Sequence, residues 1–207
     1  MKVLIVAATA KEVNLVGEHF NITPNAFTRH QKFDLLITGV GMTATAFSLG
    51  KNLKKDYDLV LNVGIAGSFD PSIPLGSLVN IVSDTFSELG AEDGDAFISI
   101  DELGFGKSKY EASFNYELLP KVSSITVNKV HGNQQSILLL QNRINVDAES
   151  MEGAAVFYAC EQLNIPCLQV RAISNYVEPR AKENWQIGLA IKNLNNWIIN
   201  FITNNGL

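Results

Sequence analysis

The sequence predicts an α/β protein: a single-domain, three-layer α/β/α fold in which helices cover both faces of a central, largely parallel twisted sheet. Short apolar runs, several of them nearly continuous in hydrophobicity, alternate along the chain with longer helical segments. Strands that are covered on both faces have this uninterrupted apolar character. Strands that alternate with helices form parallel sheets. The chain has 207 residues, of which 46% are hydrophobic, and is long enough to bury one substantial core.

Each predicted element follows from the period and length of its apolar residues. Short apolar runs predict strands at residues 3–8, 35–40, 59–63, 78–82, 125–130 and 167–173. Longer segments predict helices at residues 11–20, 43–54, 149–163 and 184–203. In the last two helices the apolar residues form a stripe at helical spacing, which is the face that a helix buries.

The segment from about residue 83 to residue 122 departs from this alternation. It is rich in Gly, Asp, Glu and Phe and has little regular period. A long stretch outside the regular elements is more often functional than idle. We therefore predict one domain over residues 1–207, with an excursion at about 83–122.

Composition and charge limit the kinds of molecule that the protein is expected to bind and the place where it is expected to work. A net charge of −5 argues against nucleic acid, since nucleic-acid binders usually carry a basic face. The longest apolar runs are far too short to span a bilayer. The apolar start leads directly into Lys11 and Glu12, which favours a first core strand over a signal peptide. Cys160 and Cys167 fit no metal-ligand spacing, so reduced core cysteines in a cytoplasmic protein are expected.

Two segments near the carboxyl end carry the groups of a nucleoside site. Residues 150–153 (Ser-Met-Glu-Gly) place Glu152 at the opening of an apolar helix. An ionised carboxylate only accepts hydrogen bonds, which suits the vicinal hydroxyls of a ribose. Residues 171–175 carry an apolar strand into Ser174 and Asn175, and a side-chain amide offers both a donor and an acceptor to a purine edge.

Small or polar residues close four of the predicted strands. They are Ala-Ala-Thr (7–9), Gly-Val-Gly-Met-Thr (39–43), Gly-Ile-Ala-Gly-Ser (64–68) and Ser-Asn (174–175). One glycine turn after a strand is ordinary turn chemistry. However, ligands of open α/β sheets bind outside the carboxyl ends of the strands. The four ends together predict one binding crevice.

Several motifs carry a resemblance to a known family. They are Ala-Thr-Ala-Lys-Glu (8–12), Gly-Val-Gly (39–41), Asn-Val-Gly-Ile-Ala-Gly-Ser-Phe (62–69), Ala-Glu-Ser-Met-Glu-Gly-Ala-Ala (148–155) and Arg-Ala-Ile-Ser-Asn-Tyr-Val-Glu-Pro-Arg (171–180), with 88–94 and 101–105 in the excursion. Nearly the whole chain resembles the nucleoside phosphorylase/nucleosidase superfamily and, within it, the futalosine hydrolases. The resemblance implies a nucleoside phosphorylase-like fold with a mixed sheet, a homo-oligomer, and hydrolysis of futalosine to hypoxanthine and dehypoxanthine futalosine in a route of menaquinone biosynthesis.

The resemblance also implies roles for individual residues. Glu12 matches the carboxylate that activates the attacking water in related nucleosidases. Met151 and Glu152 match the pair that packs on the sugar and hydrogen-bonds its hydroxyls. Ala66 and Gly67 match the backbone that passes beside the base. No metal or organic cofactor is expected.

Asn175 departs from the adenine-specific relatives, which have a general-acid aspartate there. Hypoxanthine presents two acceptors, O6 and N7, so an amide can donate where an ionised carboxylate would face an unpaired lone pair. A mispaired buried polar group costs about 1–3 kcal/mol. Asn175 therefore predicts a 6-oxopurine leaving group, with Ser174 beside it in the substrate site; the alternative is that Asn175 only caps a turn before Tyr176. Ser150 is a second departure, since these relatives often have glutamate there. Glu149 is not expected to replace it, because one helical residue rotates a side chain by about 100°.

Water fits better than phosphate as the nucleophile. None of the four arginines lies in the loops after the first or second strand, where superfamily phosphorylases bind phosphate. Glu12 is then the general base for water. Glu152 orders the ribose and favours an oxocarbenium-like sugar. Asn175 stabilises the leaving base by hydrogen bonds, although an amide cannot give it a proton.

Two alternatives remain open at this point. One is a methylthioadenosine/S-adenosylhomocysteine nucleosidase, against which Asn175 and the 88–105 segment count. The other is a nucleoside-binding protein with little catalysis, since fold does not determine function.

Five further side chains carry expectations of their own. Arg171 lies on an apolar strand and should have a buried carboxylate partner. His131 either lines the substrate side or is a loop histidine. Phe105 and Phe114 are expected either to cover the base or the aromatic tail of futalosine, or to pack in the fold or at a subunit interface. Arg180 is expected to meet the carboxylate of the futalosine tail.

Overall fold

The computed structural model describes residues 1–94, 96–114 and 116–204. Their strands, in chain order, are β1 (Val3–Ala7), β2 (Phe27–Arg29), β3 (Asp34–Ile37), β4 (Leu59–Ser68), β5 (Leu78–Phe86), β6 (Gly90–Asp93), β7 (Ala96–Ser99), β8 (Lys109–Glu111), β9 (Lys121–Thr126), β10 (Ala148–Ser150) and β11 (Cys167–Tyr176). Their α-helices are α1 (Asn14–His19), α2 (Met42–Asn52), α3 (Gln134–Arg143), α4 (Gly153–Leu163) and α5 (Ile187–Asn204). Short 3-10 helices at Ala10–Val13 and Lys182–Asn184 precede α1 and α5.

The sheet is mixed, as expected. Its strand order is β10-β9-β5-β11-β4-β1-β3-β2, with β8 on β5. β1 pairs in parallel with β3 and β4, and β4 pairs in parallel with β11. β5 is antiparallel to β11 but parallel to β9. The parallel trio β1, β4 and β11 brings three strand ends to one edge, which is where the site forms.

One pairing alters the predicted three-layer arrangement. β10 is parallel to β9 and also antiparallel to β4, through Ala148 opposite Ser68 and Glu149 opposite Gly67. The strands β4, β11, β5, β9 and β10 therefore form a closed cycle within the sheet. The α/β class holds, but a simple open sheet between two helical layers does not describe this half of the molecule.

The core lies on both faces of β1, β3 and β4, and the side chains of β1 alternate between them. On one face Val3 and Ile5 belong to an apolar cluster that includes Leu194 and Ile198 of α5. On the other face, Leu4 and Val6 share a cluster with residues of α2 and α4. Helices thus cover both faces here. Within the described ranges, no helix has both the length and the apolar character needed to span a bilayer.

Two predicted elements are displaced along the chain, and one observed helix was not predicted. The helix predicted at 149–163 begins only at Gly153, because residues 148–150 are drawn into β10 by its two partners. The strand predicted at 125–130 lies earlier, at Lys121–Thr126. Helix α3 was not predicted; its signal is Asn133, whose side chain accepts hydrogen bonds from the backbone N–H groups of Gln135 and Ser136.

The excursion is more regular than its composition indicates. β5 continues to Phe86 inside it, β6 and β7 form an antiparallel pair, and β8 pairs with β5. Its aperiodic sequence misled the prediction because these short strands are mostly exposed on one or both faces. It nevertheless leads back into the sheet through β9.

Candidate active site

A cavity of about 330 Å³ lies at the carboxyl ends of β1, β4 and β11. Its lining includes all seven positions that the sequence predicts for the site: Glu12, Ala66, Gly67, Met151, Glu152, Ser174 and Asn175. These positions span most of the chain, and the parallel strands bring them together. Lys11, which immediately precedes Glu12, is exposed and is not among the lining residues.

Glu12 is held firmly at the end of β1. It lies in the 3-10 helix Ala10–Val13 and is only 8% exposed. Its Oε2 accepts hydrogen bonds from the backbone N–H and the hydroxyl of Thr9, each at 2.9 Å. Its Oε1 accepts one from the backbone N–H of Ile65 on β4, at 3.2 Å. These bonds fix the carboxylate between β1 and β4. Oε1 accepts a single, longer bond, so it is held less strongly than Oε2 and is the oxygen that can bind a further donor.

Arg171 does not line the cavity, but its guanidinium lies beside the carboxylate of Glu12, a position that the sequence did not predict. It is 2% exposed, and its Nε and Nη2 are buried without a hydrogen-bond partner in the described chain. A side-chain carbon at Gly64 would lie within 3.0 Å of both Nη1 of Arg171 and Oε1 of Glu12. Among the described residues Arg171 forms no salt bridge within 4.0 Å, but its charge acts on the buried carboxylates of Glu152 and Asp84, so the expected carboxylate partners are present at longer range. The signal was present in the sequence: a cation on an apolar strand, three residues before Ser174.

Burial raises the pKa of Glu152 above its usual value. The charge of Arg171 and a hydrogen bond from the backbone N–H of Gly41 act in the opposite direction and lower it. That bond is 2.9 Å long and ends on Oε1. Gly41 has φ +95°, a backbone conformation that favours glycine. Half-buried Met151 adjoins Glu152 in the cavity wall.

A β-bulge presents Ser174 and Asn175 to the cavity. β11 pairs with β4 at Ile173 opposite Ala66 and then at Asn175 opposite Gly67, which leaves Ser174 as the extra residue. Such bulges re-aim side chains. A carbon at Gly67 would lie 3.1 Å from Nδ2 of Asn175, so the absence of a side chain there leaves room for this amide.

The orientation of the Asn175 amide follows from its partners. Nδ2 donates to the backbone oxygen of Tyr176 at 3.0 Å, and a carbonyl oxygen can only accept. Oδ1 accepts from the hydroxyl of Ser174 at 2.8 Å. The turn contact with Tyr176 that was the alternative expectation is therefore present. Because Nδ2 carries two hydrogens, one N–H remains for a ligand.

Glu149 and His131 form a pair that also lines the cavity. The backbone N–H of His131 donates to Oε1 of Glu149 at 2.9 Å, and its ring Nδ1 lies 2.7 Å from Oε2. Burial raises the pKa of Glu149, and its contacts with His131 lower it. The helical rotation that argued against Glu149 taking the place of the relatives' glutamate does not apply, because residue 149 lies on β10 and not on a helix.

The rim of the cavity carries one further cation. Arg180 lines it, and its guanidinium lies 5.0 Å from the ring centre of Trp185. Its backbone N–H donates to the oxygen of Gly132 at 3.1 Å, which ties the two rim loops together. Phe105 is 80% exposed and does not line the cavity. Phe114 packs on the core instead.

A buried polar network supports the cavity from below. Oδ1 and Oδ2 of Asp84 accept hydrogen bonds from Thr126 and Gln169, each at 2.8 Å. The Thr126 hydroxyl in turn accepts from the backbone N–H of Ala154 at the start of α4. A side chain at Gly153 would collide with Asp84. The network therefore fixes the first turn of α4 and, with it, Glu152.

The network predicts a pH-dependent stability. Burial raises the pKa of Asp84 from 3.8 to about 6, so the folded state binds this proton more tightly than the unfolded state. Stability from this group is present below pH 3.8 and is lost as the pH rises through 6. We expect the wild type to gain about 1 kcal/mol more than Asp84→Asn between pH 7.5 and pH 5. Urea unfolding at both pH values measures this; equal gains would contradict it.

No group of three or more His, Cys, Asp or Glu side chains is placed to hold a metal ion in residues 1–94, 96–114 and 116–204.

Comparison with known proteins places the chain among relatives of matching length. The model of the phosphorylase superfamily matches residues 2–202. A futalosine hydrolase from Streptomyces coelicolor is 32% identical, over 92% of this chain and 91% of its own. A futalosine hydrolase from Thermus thermophilus is 27% identical, over 87% of this chain and 85% of its own. A 5′-methylthioadenosine/S-adenosylhomocysteine nucleosidase from Colwellia psychrerythraea, solved in complex with adenine, has the same fold, with a TM-score of 0.77, 20% identity and coverage of 98% and 94%.

Proposed function

The chain belongs to the phosphorylase superfamily, and we propose on this premise that it hydrolyses the N-glycosidic bond of futalosine. The products are hypoxanthine and dehypoxanthine futalosine, which places the reaction in the futalosine route of menaquinone biosynthesis. Two named futalosine hydrolases align over most of this chain, which supports the assignment. The observation that carries the choice of base is the Asn175 amide, which lines the cavity and keeps one N–H beyond the one that it donates to Tyr176.

The nucleophile is water held between Glu12 and Arg171. Oε1 of Glu12 and Nη1 of Arg171 are more than 4.0 Å apart, since they form no ion pair, yet both face Gly64 within contact distance. Such a gap of roughly 4–5 Å suits one bridging water. Arg171 donates to the water oxygen and leaves a water proton directed at Glu12. The carboxylate takes that proton as the water attacks the anomeric carbon.

Glu152 acts on the sugar. Its carboxylate accepts from Gly41 through one oxygen, which leaves the other for the vicinal hydroxyls of the ribose. Its negative charge also favours the oxocarbenium-like sugar that forms as the N-glycosidic bond breaks. Met151 packs beside it against the apolar face of the ribose.

Asn175 selects the base. Its one spare N–H donates to O6 of hypoxanthine, while Ser174 holds its oxygen away from this acceptor. The 6-amino group of adenine would instead place a hydrogen-bond donor opposite this N–H donor. A mispairing of that kind costs about 1–3 kcal/mol, and sites built on hydrogen bonds can discriminate by more.

Base release tests the proposal directly. Futalosine, inosine and 5′-methylthioadenosine are each incubated with the protein, with and without phosphate, and free bases are separated by chromatography. Hypoxanthine released from futalosine at a rate independent of phosphate is the expected result. Adenine released from methylthioadenosine at a higher kcat/KM would contradict it. No base from any substrate would favour a nucleoside-binding protein.

Arg180 binds the carboxylate at the tail of futalosine. It lies on the cavity rim, and its contact with Trp185 orients it there. We expect Arg180→Ala to raise the KM for futalosine about tenfold, because a charge-assisted hydrogen bond contributes about 1.5–3 kcal/mol. The KM for inosine, which lacks the tail, should stay unchanged. Lys182→Ala, which removes an exposed cation that does not line the cavity, is the control. An unchanged KM for futalosine would rule this role out.

Two broader properties belong to the same proposal. The protein is a homo-oligomer; apolar Phe47 on α2 is 75% exposed and Val40 on the cavity wall is 57% exposed, which suits a subunit contact. Sedimentation velocity tests this, and a monomer at micromolar concentration would contradict it. A cytoplasmic location accords with Cys160 and Cys167, which are both buried and unpaired. Fractionation of the source cells checks it.

A further inference from the structure

The mechanism above leaves the leaving base without a proton donor. When the bond from N9 to the sugar breaks, its electron pair stays on the purine, and protonation at N7 neutralises the charge. Asn175 donates a hydrogen bond but keeps its proton. Glu12 must be ionised to take a proton from water, and Glu152 must be ionised to accept hydrogen bonds from the ribose hydroxyls. The guanidinium of Arg180 does not lose its proton in proteins.

His131 and Glu149 are the remaining titratable side chains among the residues that line the cavity in the described chain. Both oxygens of Glu149 are engaged by His131, which leaves the ring of His131 as the group that can give a proton to the base. Histidine exchanges its proton near neutral pH. Its two hydrogen bonds to Glu149 fix the ring, with Nδ1 facing the carboxylate. When Nδ1–H donates to Glu149, Nε2 is the nitrogen left for a ligand. The carboxylate also stabilises the imidazolium, in which Nε2 carries a proton.

The pair also lies on the base side of the cavity. Glu149 is opposite Gly67 across the β10–β4 pairing. A carbon at Gly67 would lie 3.7 Å from Cγ of Glu149 and 3.1 Å from Nδ2 of Asn175. Glu149 and Asn175 therefore flank the same stretch of backbone, and His131 continues this wall beyond Glu149.

We infer that His131, positioned by Glu149, is the general acid that protonates hypoxanthine as it leaves; this rests on the proposed function. The N9–C1′ bond breaks with its electrons on the purine, and N7 takes the proton from Nε2 of the His131 imidazolium. Water forms the new bond to C1′ and gives its proton to Glu12. His131 then regains a proton from solvent and Glu12 releases one, so that the cycle consumes only water and futalosine.

Charged groups around the pair affect its titration. Glu149 faces His131 from β10, and the charge of Glu88, in the loop after β5, acts on Glu149. Arg180 reaches the same loop from the other side, where it packs against Gly132. The pH profile of the wild type therefore depends on all of these groups together. Single variants are needed to assign a limb of the profile to one residue.

The test compares pH profiles of kcat/KM for futalosine in the wild type, His131→Gln, Glu149→Gln and the exposed control His19→Gln. We expect the wild type and the control to lose activity on the alkaline side as the imidazolium deprotonates. His131→Gln should lose about 100-fold or more at neutral pH and lack this alkaline limb. Glu149→Gln should lower the activity but keep the alkaline limb, because the ring of His131 is still present and only loses the carboxylate that positions it.

The outcomes separate this inference from the proposed function. A loss below threefold in His131→Gln, or an alkaline limb that survives in it, overturns the role of His131 while hypoxanthine release by the wild type stands. No hypoxanthine release by the wild type overturns both. A large loss with the limb abolished supports the inference and excludes a purely structural effect, which would lower the profile without changing its shape.

Discussion

Replacing Glu12 by glutamine should lower kcat for futalosine about 1,000-fold, while the KM changes by less than a few-fold. A positioned general base contributes 10²- to 10⁴-fold, and 1,000-fold corresponds to about 4 kcal/mol of barrier. Glutamine keeps the length of the side chain but cannot take a proton from water. Its amide also presents a donor to either Thr9 or Ile65, where the carboxylate accepts from both. Steady-state kinetics of hypoxanthine release provides the measurement.

A loss of fold must be separated from a loss of chemistry in this variant. Glu18→Gln removes an exposed carboxylate from the neighbouring helix α1 and should retain full activity. Thermal unfolding of both variants checks that each remains folded at the assay temperature. Activity of Glu12→Gln within tenfold of the wild type would show that Glu12 is not the base. That result would favour a different proton acceptor, with Glu152 the next carboxylate in the cavity.

Replacing Asn175 by aspartate should shift the preference from hypoxanthine to adenine nucleosides. In the wild type, Nδ2 of Asn175 donates to the backbone oxygen of Tyr176. An ionised aspartate would place a carboxylate oxygen against this carbonyl oxygen, and both atoms can only accept hydrogen bonds. The carboxyl group is therefore favoured in its protonated form, which can give a proton to N7 of adenine and accept from its amino group. We expect kcat/KM for futalosine to fall about 10- to 100-fold, and that for methylthioadenosine to rise by a similar factor.

The matched control for this substitution is Asn25→Asp. Asn25 is exposed, and its Nδ2 also donates to a nearby backbone oxygen, that of Thr23. The same change in charge and the same lost bond then occur away from the cavity, and both kcat/KM values should remain unchanged. If Asn175→Asp lowers the two kcat/KM values equally, Asn175 supports the bulge at Ser174 and does not select the base.

Much of the site could be predicted because its groups follow strands directly. Glu12 comes after the apolar run of β1, and Ser174 and Asn175 close that of β11. The residue types alone indicate their chemistry: a carboxylate for water or hydroxyls, an amide for a base edge. Parallel neighbours then bring these ends to one edge of the sheet. Local pattern and chemical type therefore carried the prediction of a nucleoside site.

The pairing of β10 could not be predicted in this way. Residues 148–150 lead into an apolar helix and read as its first turn, yet β9 and β4 draw them into the sheet. Those partner strands lie far from residues 148–150 in the sequence, and the local pattern of hydrophobic residues does not show which distant strands a segment will pair with. The consequence is chemical, because a strand at 149 directs Glu149 toward His131, where a helix would have turned it aside.

The sequence by itself determined the α/β class, the apolar strands that form the core, and the kinds of groups that stand at the strand ends. Each of these depends on neighbouring residues only. Tertiary structure alone decided that the sheet closes through β10, that Arg171 faces Glu12 across Gly64, and that Glu149 holds His131. These are contacts between distant segments. They depend on which strands pair, because buried strands must pair their backbone groups and the side chains of paired strands then meet.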